Sequence, residues 1–117
     1  MALISFEKRE LKSHAEPVSL KDLRKGEIYF AVQYLDAALK VPVIETLVFI
    51  GIDLNQGDHG RVYFQTANSY QEGLRFELAA KKDMKSFRTQ AENQLKHIFE
   101  FESALNEIMK CSLRRQK

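Results

Sequence analysis

Between Thr89 and Leu113 the sequence TQAENQLKHIFEFESALNEIMKCSL repeats apolar residues at spacings of three and four, the mark of an amphipathic helix. No other stretch combines that length with that periodicity, so the remainder of the chain must supply the layer it packs on. Thr89 followed by Glu92 has capping-box spacing, and the helix is predicted to start there, with Asp83 as the alternative start. Lys110, Arg114, Arg115 and Lys117 crowd the far end, where cations complement the helix dipole. At about 100° per residue the apolar side chains sweep an arc of about 220°, broken by Glu102 and Asn106. A helix resting on one layer needs little more than about 100°. The surplus asks for a second cover.

Upstream, the chain is rich in β-forming residues. In Glu27–Leu35, Ile28, Phe30, Val32 and Tyr34 alternate with Tyr29, Ala31 and Gln33, the period of a strand. Pro42 opens a second strand, VIETLVFIGIDL, whose Leu47, Val48, Phe49 and Ile50 are apolar on both faces, as in a central strand covered on two sides. Gly51 interrupts it and marks a bulge or bend. The turn Asn55–Gly60 leads to the hairpin partner Arg61–Ala67, Asn68–Gly73 turns again, and Leu74–Leu78 alternates as a further strand. Ahead of all this, Leu3, Ile4 and Phe6 form a short apolar knot before a charged loop.

Strands followed by one helix predict an α+β domain: a curled antiparallel sheet, or small partly open barrel, of four or five strands packed by one long C-terminal helix. In strand number and length this is similar to SH3-like and other small barrels, with no family motif to narrow the likeness. The 117 residues are read as a single domain, with 1–19 an N-terminal segment, 20–80 the β-rich sheet and 81–117 a connector and the helix.

Composition excludes more than it assigns. Hydrophobic residues at 44% and charged residues at 29% are ordinary globular values. No apolar run approaches the roughly 20 residues of a membrane helix. The N-terminus MALISFEKRE mixes acids and bases where a signal peptide is apolar, and Cys111 has no cysteine to pair with. A cytoplasmic protein without membrane contact is expected. The P-loop, HExxH, GxSxG and GxGxxG patterns are all missing. Cys111 and His97 would stand about 21 Å apart along a continuous helix at about 1.5 Å per residue. Asp53, Asn55, Asp58 and His59 suggest a calcium loop, but Asp58 and Phe64 occupy the positions that need Gly and a carboxylate. Zinc would need ligands beyond Cys111 and the scattered His14, His59 and His97. Catalytic residues, metals and cofactors are therefore not expected.

Two binding readings remain. In the first, Ile98, Leu105 and Met109 pack on the sheet while Phe101, Ala104 and Ile108 meet a second surface. That surface is either the Leu3/Ile4/Phe6 segment or the same helix of another copy. Phe101, Ala104, Leu105 and Ile108 are the interaction residues this reading names, and a homodimer or another protein is the partner. In the alternative, Tyr29, Tyr34, Tyr63 and Phe64 stack bases, and Lys81, Lys82, Lys85 and Arg88 meet the phosphates of a nucleic acid or nucleotide. Charge argues against the alternative: the formal net charge is only +2, and residues 41–80 are net negative. The sequence thus favours a small non-enzymatic interaction module, self-associating through its C-terminal helix.

Overall fold

Alternation along one strand sets up both layers of the structure. In the computed structural model, which describes residues 2–117, β1 (Ile28–Tyr34) sends Tyr29 and Ala31 to one side of the sheet and Phe30, Val32 and Tyr34 to the other. β2 (Pro42–Ile52) pairs antiparallel with β1, from Tyr34 opposite Pro42 to Ile28 opposite Val48. β3 (Arg61–Thr66) and β4 (Phe87–Ala91) continue the meander. The two-residue β5 (Ile98–Phe99) then returns to the free edge of β1, giving an open antiparallel sheet in the order β4-β3-β2-β1-β5. β2 is the central strand, as its two-sided apolar sequence requires, with Leu47, Val48 and Phe49 all buried. The register slips between Phe49 and Gly51, whose φ of +147° suits glycine, and this bulge bends β2 and curls the sheet.

The inner face of the curl holds the main core. Tyr29, Leu47, Phe49, Val62 and Phe64 meet Ile98 and Leu95 there, with Val18, Leu20 and Leu23 plugging one end. The outer face is covered in two parts. Over β3 and β4 lies the crossover 67–86, which includes the short helix α1 (Ala67–Gln71). Its Phe76 sits edge-on between Tyr63 and Phe87, with ring centres 5.3 and 5.2 Å away. Fully buried Gln65 pins this crossover, donating to Ser69 Oγ at 3.1 Å and to the Leu74 carbonyl at 2.9 Å. Over β1 and β5 lies α2 (Phe101–Arg115), where Ala104 packs with Val32, Phe99 and Ala15.

Three expectations are corrected. The C-terminal helix begins at Phe101, not Thr89. Thr89 lies in β4, Glu92–His97 form a 3-10 turn, and Ile98–Phe99 are β5, so residues 81–117 contribute two strands besides the helix. A turn running into a strand drops Leu95 and Ile98 into the core as well as a helix would, so the apolar spacing is satisfied either way. Pairing decides between them: β4 pairs with Arg61–Gln65 along the edge of β3, and β5 pairs with Phe30 and Ala31 of β1, where a helix would leave those backbone groups open. The side-chain cap is accordingly Gln94 Oε1 accepting from the Ala91 amide at 3.0 Å, in place of Thr89 with Glu92.

Leu74–Leu78 is not a strand, since Phe76–Leu78 form a 3-10 turn. The edge of β3 it would need is already taken by β4. Finally, Leu3, Ile4 and Phe6 do not cover the helix and are 86%, 86% and 91% exposed. Residues 9–15 run beside α2 instead. The Lys12 amide donates to Asn106 Oδ1 at 3.0 Å, Asn106 Nδ2 donates to the Lys12 carbonyl at 3.3 Å, and Arg9 pairs with Glu102 at 2.7 Å.

Candidate functional site

Helical geometry divides α2 into three faces. Ala104 and Cys111, seven residues apart, are buried toward the sheet. Glu102 and Asn106, four apart, carry the N-terminal segment. Phe101, Leu105 and Ile108 recur at the same spacing and share the remaining flank. Of the four residues expected to meet a partner, Ala104 is therefore misplaced: it is 4% exposed, because the close approach of α2 to Val32 and Phe99 needs a small side chain. Leu105 and Ile108 are half-buried, and Phe101 is 64% exposed with one ring edge against Phe30, centroids 5.7 Å apart.

Phe101 stands at the lip of a hollow of ≈ 530 Å³ whose apolar wall includes Pro17, Val18 and Ile28, the last of these 50% exposed. Its rim is acidic: Glu16, Asp22, Glu27 and Glu100 outnumber the single base, Arg24. Half-exposed Ile44 lies further along the same outer face, opposite Val32. The sequence sets Ile28 on the face of Phe30 and Val32, whereas Ile44 joins that face only through the register that places it opposite Val32.

The far end of α2 is held by specific contacts. Tyr34 donates to Glu107, and Arg114 reaches both groups, at 2.7 Å to the Tyr34 hydroxyl and 3.0 Å to Glu107. Burial and the bond to the Glu107 carboxylate hold the Tyr34 phenol protonated well above its ordinary range. Arg114 and Arg115 also donate to the carbonyls of Leu39 and Lys40, each at 2.8 Å, tying the helix end to the β1–β2 turn. These terminal bases thus have partners within the chain.

On the inner face, the open end of the curl is polar. Arg88 on β4 pairs in two-pronged fashion with Glu45 on β2, at 2.8 and 3.1 Å. Gln33, Gln90, Gln94 and His97 complete a cleft of ≈ 560 Å³, with Ala31 and Leu47 as its inward apolar parts and Phe87 at its edge. Burial lowers the His97 pKa below its usual 6.5, favouring the neutral ring. Its Nε2 lies 3.3 Å from Gln90 Nε2, while Gln90 Oε1 is buried without a hydrogen-bond partner among the described residues.

Lys81, Lys82 and Lys85 are exposed on the 3-10 turn that leads into β4, and Arg88 of the same predicted basic cluster is turned into the cleft. The aromatic platform of the nucleic-acid reading does not form. Tyr29, Tyr63 and Phe64 are buried, and Tyr34 is occupied by Glu107 and Arg114. Of the cleft residues, the sequence sets Gln33 on the strand face of Tyr29 and Ala31, and only the pairing of β1 with β2 brings Glu45 to the same side. Gln90, Gln94 and His97 could not be placed while their segment read as helix.

Among the described residues no three His, Cys, Asp or Glu side chains gather in metal-binding geometry, and no helix is long and apolar enough to cross a membrane. Cys111 packs beneath α2 on the outer face while His97 lines the inner cleft, so the sheet lies between them. Comparison of the chain with protein-family models, curated proteins and solved structures found no match to any of them.

Proposed function

We propose that this protein is a non-enzymatic interaction module that pairs with a second copy of itself through the flank of α2 bearing Phe101, Leu105 and Ile108. The observation that carries the reading is Phe101: a large aromatic, mostly exposed, on the lip of a hollow with an apolar wall. Aromatic anchors of this kind supply most of the energy in protein interfaces when they enter a partner's pocket. A two-fold pairing uses the same patch twice, so one surface bearing both an anchor and a hollow can be self-complementary. Ile28 and Ile44 extend the apolar area across β1 and β2, and the acidic rim gives the surface a polar border.

Light scattering across a concentration series tests the reading. The wild type is expected to pass from monomer to dimer, and Phe101→Glu to remain monomeric with an unchanged circular dichroism spectrum, since the side chain is mostly in solvent. A wild type that stays monomeric at every concentration would sink the proposal. So would a Phe101→Glu variant that dimerises as well as the wild type. Loss of the fold in Phe101→Glu would assign the residue to the core and equally remove it from the interface.

A further inference from the structure

The α2 flank bearing Phe101 carries opposite charge at its two ends. Phe101, Ile108 and Arg115 follow one another at intervals of seven residues, so at about 100° per residue they stay within about 40° of one line along the helix. At the Phe101 end stand the acids of the hollow, Glu16, Asp22, Glu27 and Glu100. The other end lies about 21 Å away at about 1.5 Å per residue. There Arg115 is joined by Lys117 and, from the β1–β2 turn, by Lys40. Leu39, next to Lys40, is half-exposed and gives this basic end an apolar part.

Neither set of charges is neutralised within its own chain. Arg115 donates to the Lys40 carbonyl at 2.8 Å, a neutral partner that leaves the guanidinium charge uncompensated. Among the described residues, no carboxylate side chain lies within ion-pair distance of Arg115, Lys117 or Lys40, and no base lies within that distance of the hollow's four acids. The other charges of α2 are different: Glu107 is taken by Arg114 and Lys110, and Glu102 by Arg9. Arg115, Lys117 and the four acids are all exposed. What is left open is therefore an acidic, apolar hollow at one end of the flank and a basic, apolar turn at the other.

Given the self-pairing proposed above, on which this rests, we infer that the two copies pair with their α2 helices antiparallel and crossing near Ile108. Ile108 lies midway between Phe101 and Arg115, so a two-fold axis there sets the Phe101 end of each copy against the partner's Arg115. The guanidinium then meets both the acidic rim and the exposed Phe101 ring, an arrangement that favours a cation over an aromatic face. Antiparallel helices also set opposite dipole ends side by side. A parallel pair would instead put acid against acid and base against base, and like charges facing one another across an interface oppose association.

Sedimentation equilibrium of the full chain at low and high salt tests the orientation. The wild-type dimer is expected to weaken as salt is raised, since its end contacts join opposite, exposed charges. Glu100→Lys and Arg115→Glu should each weaken it about tenfold, because each reversal is met at two symmetric sites. The chain carrying both substitutions should regain wild-type affinity, since the reversed charges again face their opposites across the interface. That recovery separates pairing from a frayed helix end, which a second substitution would not repair. A double variant as weak as either single one would overturn the antiparallel arrangement, and so would a wild-type dimer that tightens with salt. A dimer lost in Phe101→Glu yet unmoved by both reversals would overturn it too, while leaving the Phe101 pairing intact. A wild type that is monomeric at every concentration would remove the pairing itself, and the orientation with it.

Discussion

Asn106 is the residue through which the N-terminal segment is expected to detach from the body without unfolding it. Replacing it with Ala removes both hydrogen bonds to the Lys12 backbone, at 3.0 and 3.3 Å. Each is worth about 0.5–1.5 kcal/mol net, so about 1–3 kcal/mol of local anchoring is lost. At 1.4 kcal/mol per tenfold, opening of the segment rises about 5- to 150-fold. A thermal melt is the wrong assay. Ala is the better helix former by about 0.5–0.7 kcal/mol, which offsets part of any global loss. Amide hydrogen exchange separates the two effects. The Lys12 amide should exchange faster by the factor above, while amides of Val32, Phe49 and Phe64 in the sheet keep their wild-type protection. Asn106→Asp retains the acceptor for the Lys12 amide and loses the donor, and should fall between. The reasoning is refuted if the Lys12 amide is unprotected in the wild type, or if Asn106→Ala accelerates exchange evenly across the sheet.

Two further outcomes can be measured on the fold itself. Because burial lowers the His97 pKa from 6.5, the unfolded chain takes up that proton first. Stability should therefore fall as pH drops below 6.5 until the folded-state pKa is passed, and be fully present above it. Urea melts on either side of pH 6.5 should show this slope in the wild type and not in His97→Gln, and equal slopes would refute the assignment. Ile98 is wholly buried in a strand of two residues. Ile98→Ala should cost about 2–5 kcal/mol in chemical denaturation, and a loss below about 1 kcal/mol would show that β5 is dispensable.

Much of the sheet is legible in the sequence because its signals are local. The alternation in β1, the proline and two-sided apolar run of β2, and the Asn/Asp/Gly turn before β3 are each decided within a few residues. Residues 87–99 are not decided locally. Leu95, Ile98 and Phe99 fit a helix face as well as they fit a turn and strand, and only the open edges of β3 and β1 choose between the two. The same non-locality hid the site residues. Asn106 reads as a flaw in an apolar arc until Lys12, 94 residues away, is set beside it. Ala104 reads as surplus apolar surface until the small gap between α2 and β1 gives it a reason. The polar cleft did not show at all, since Gln33 and Glu45 meet only through the pairing of β1 with β2 and the other half hung on a segment assigned to the wrong period.

The return of β5 to β1 has a consequence for the order in which the molecule can be completed during synthesis. β1 is made early, yet the strand that closes its edge and the helix that covers Phe30 and Val32 come after every other strand. A nascent chain carrying β1 to β4 holds a four-stranded meander in which Phe30 and Ala31 lack their partners in β5 and the outer face over β1 is bare. Such a chain is prone to pair with its neighbours on the ribosome. Pulse-labelled or arrested chains ending before Ile98 should accordingly need a chaperone to stay soluble, and chains that include Arg115 should not.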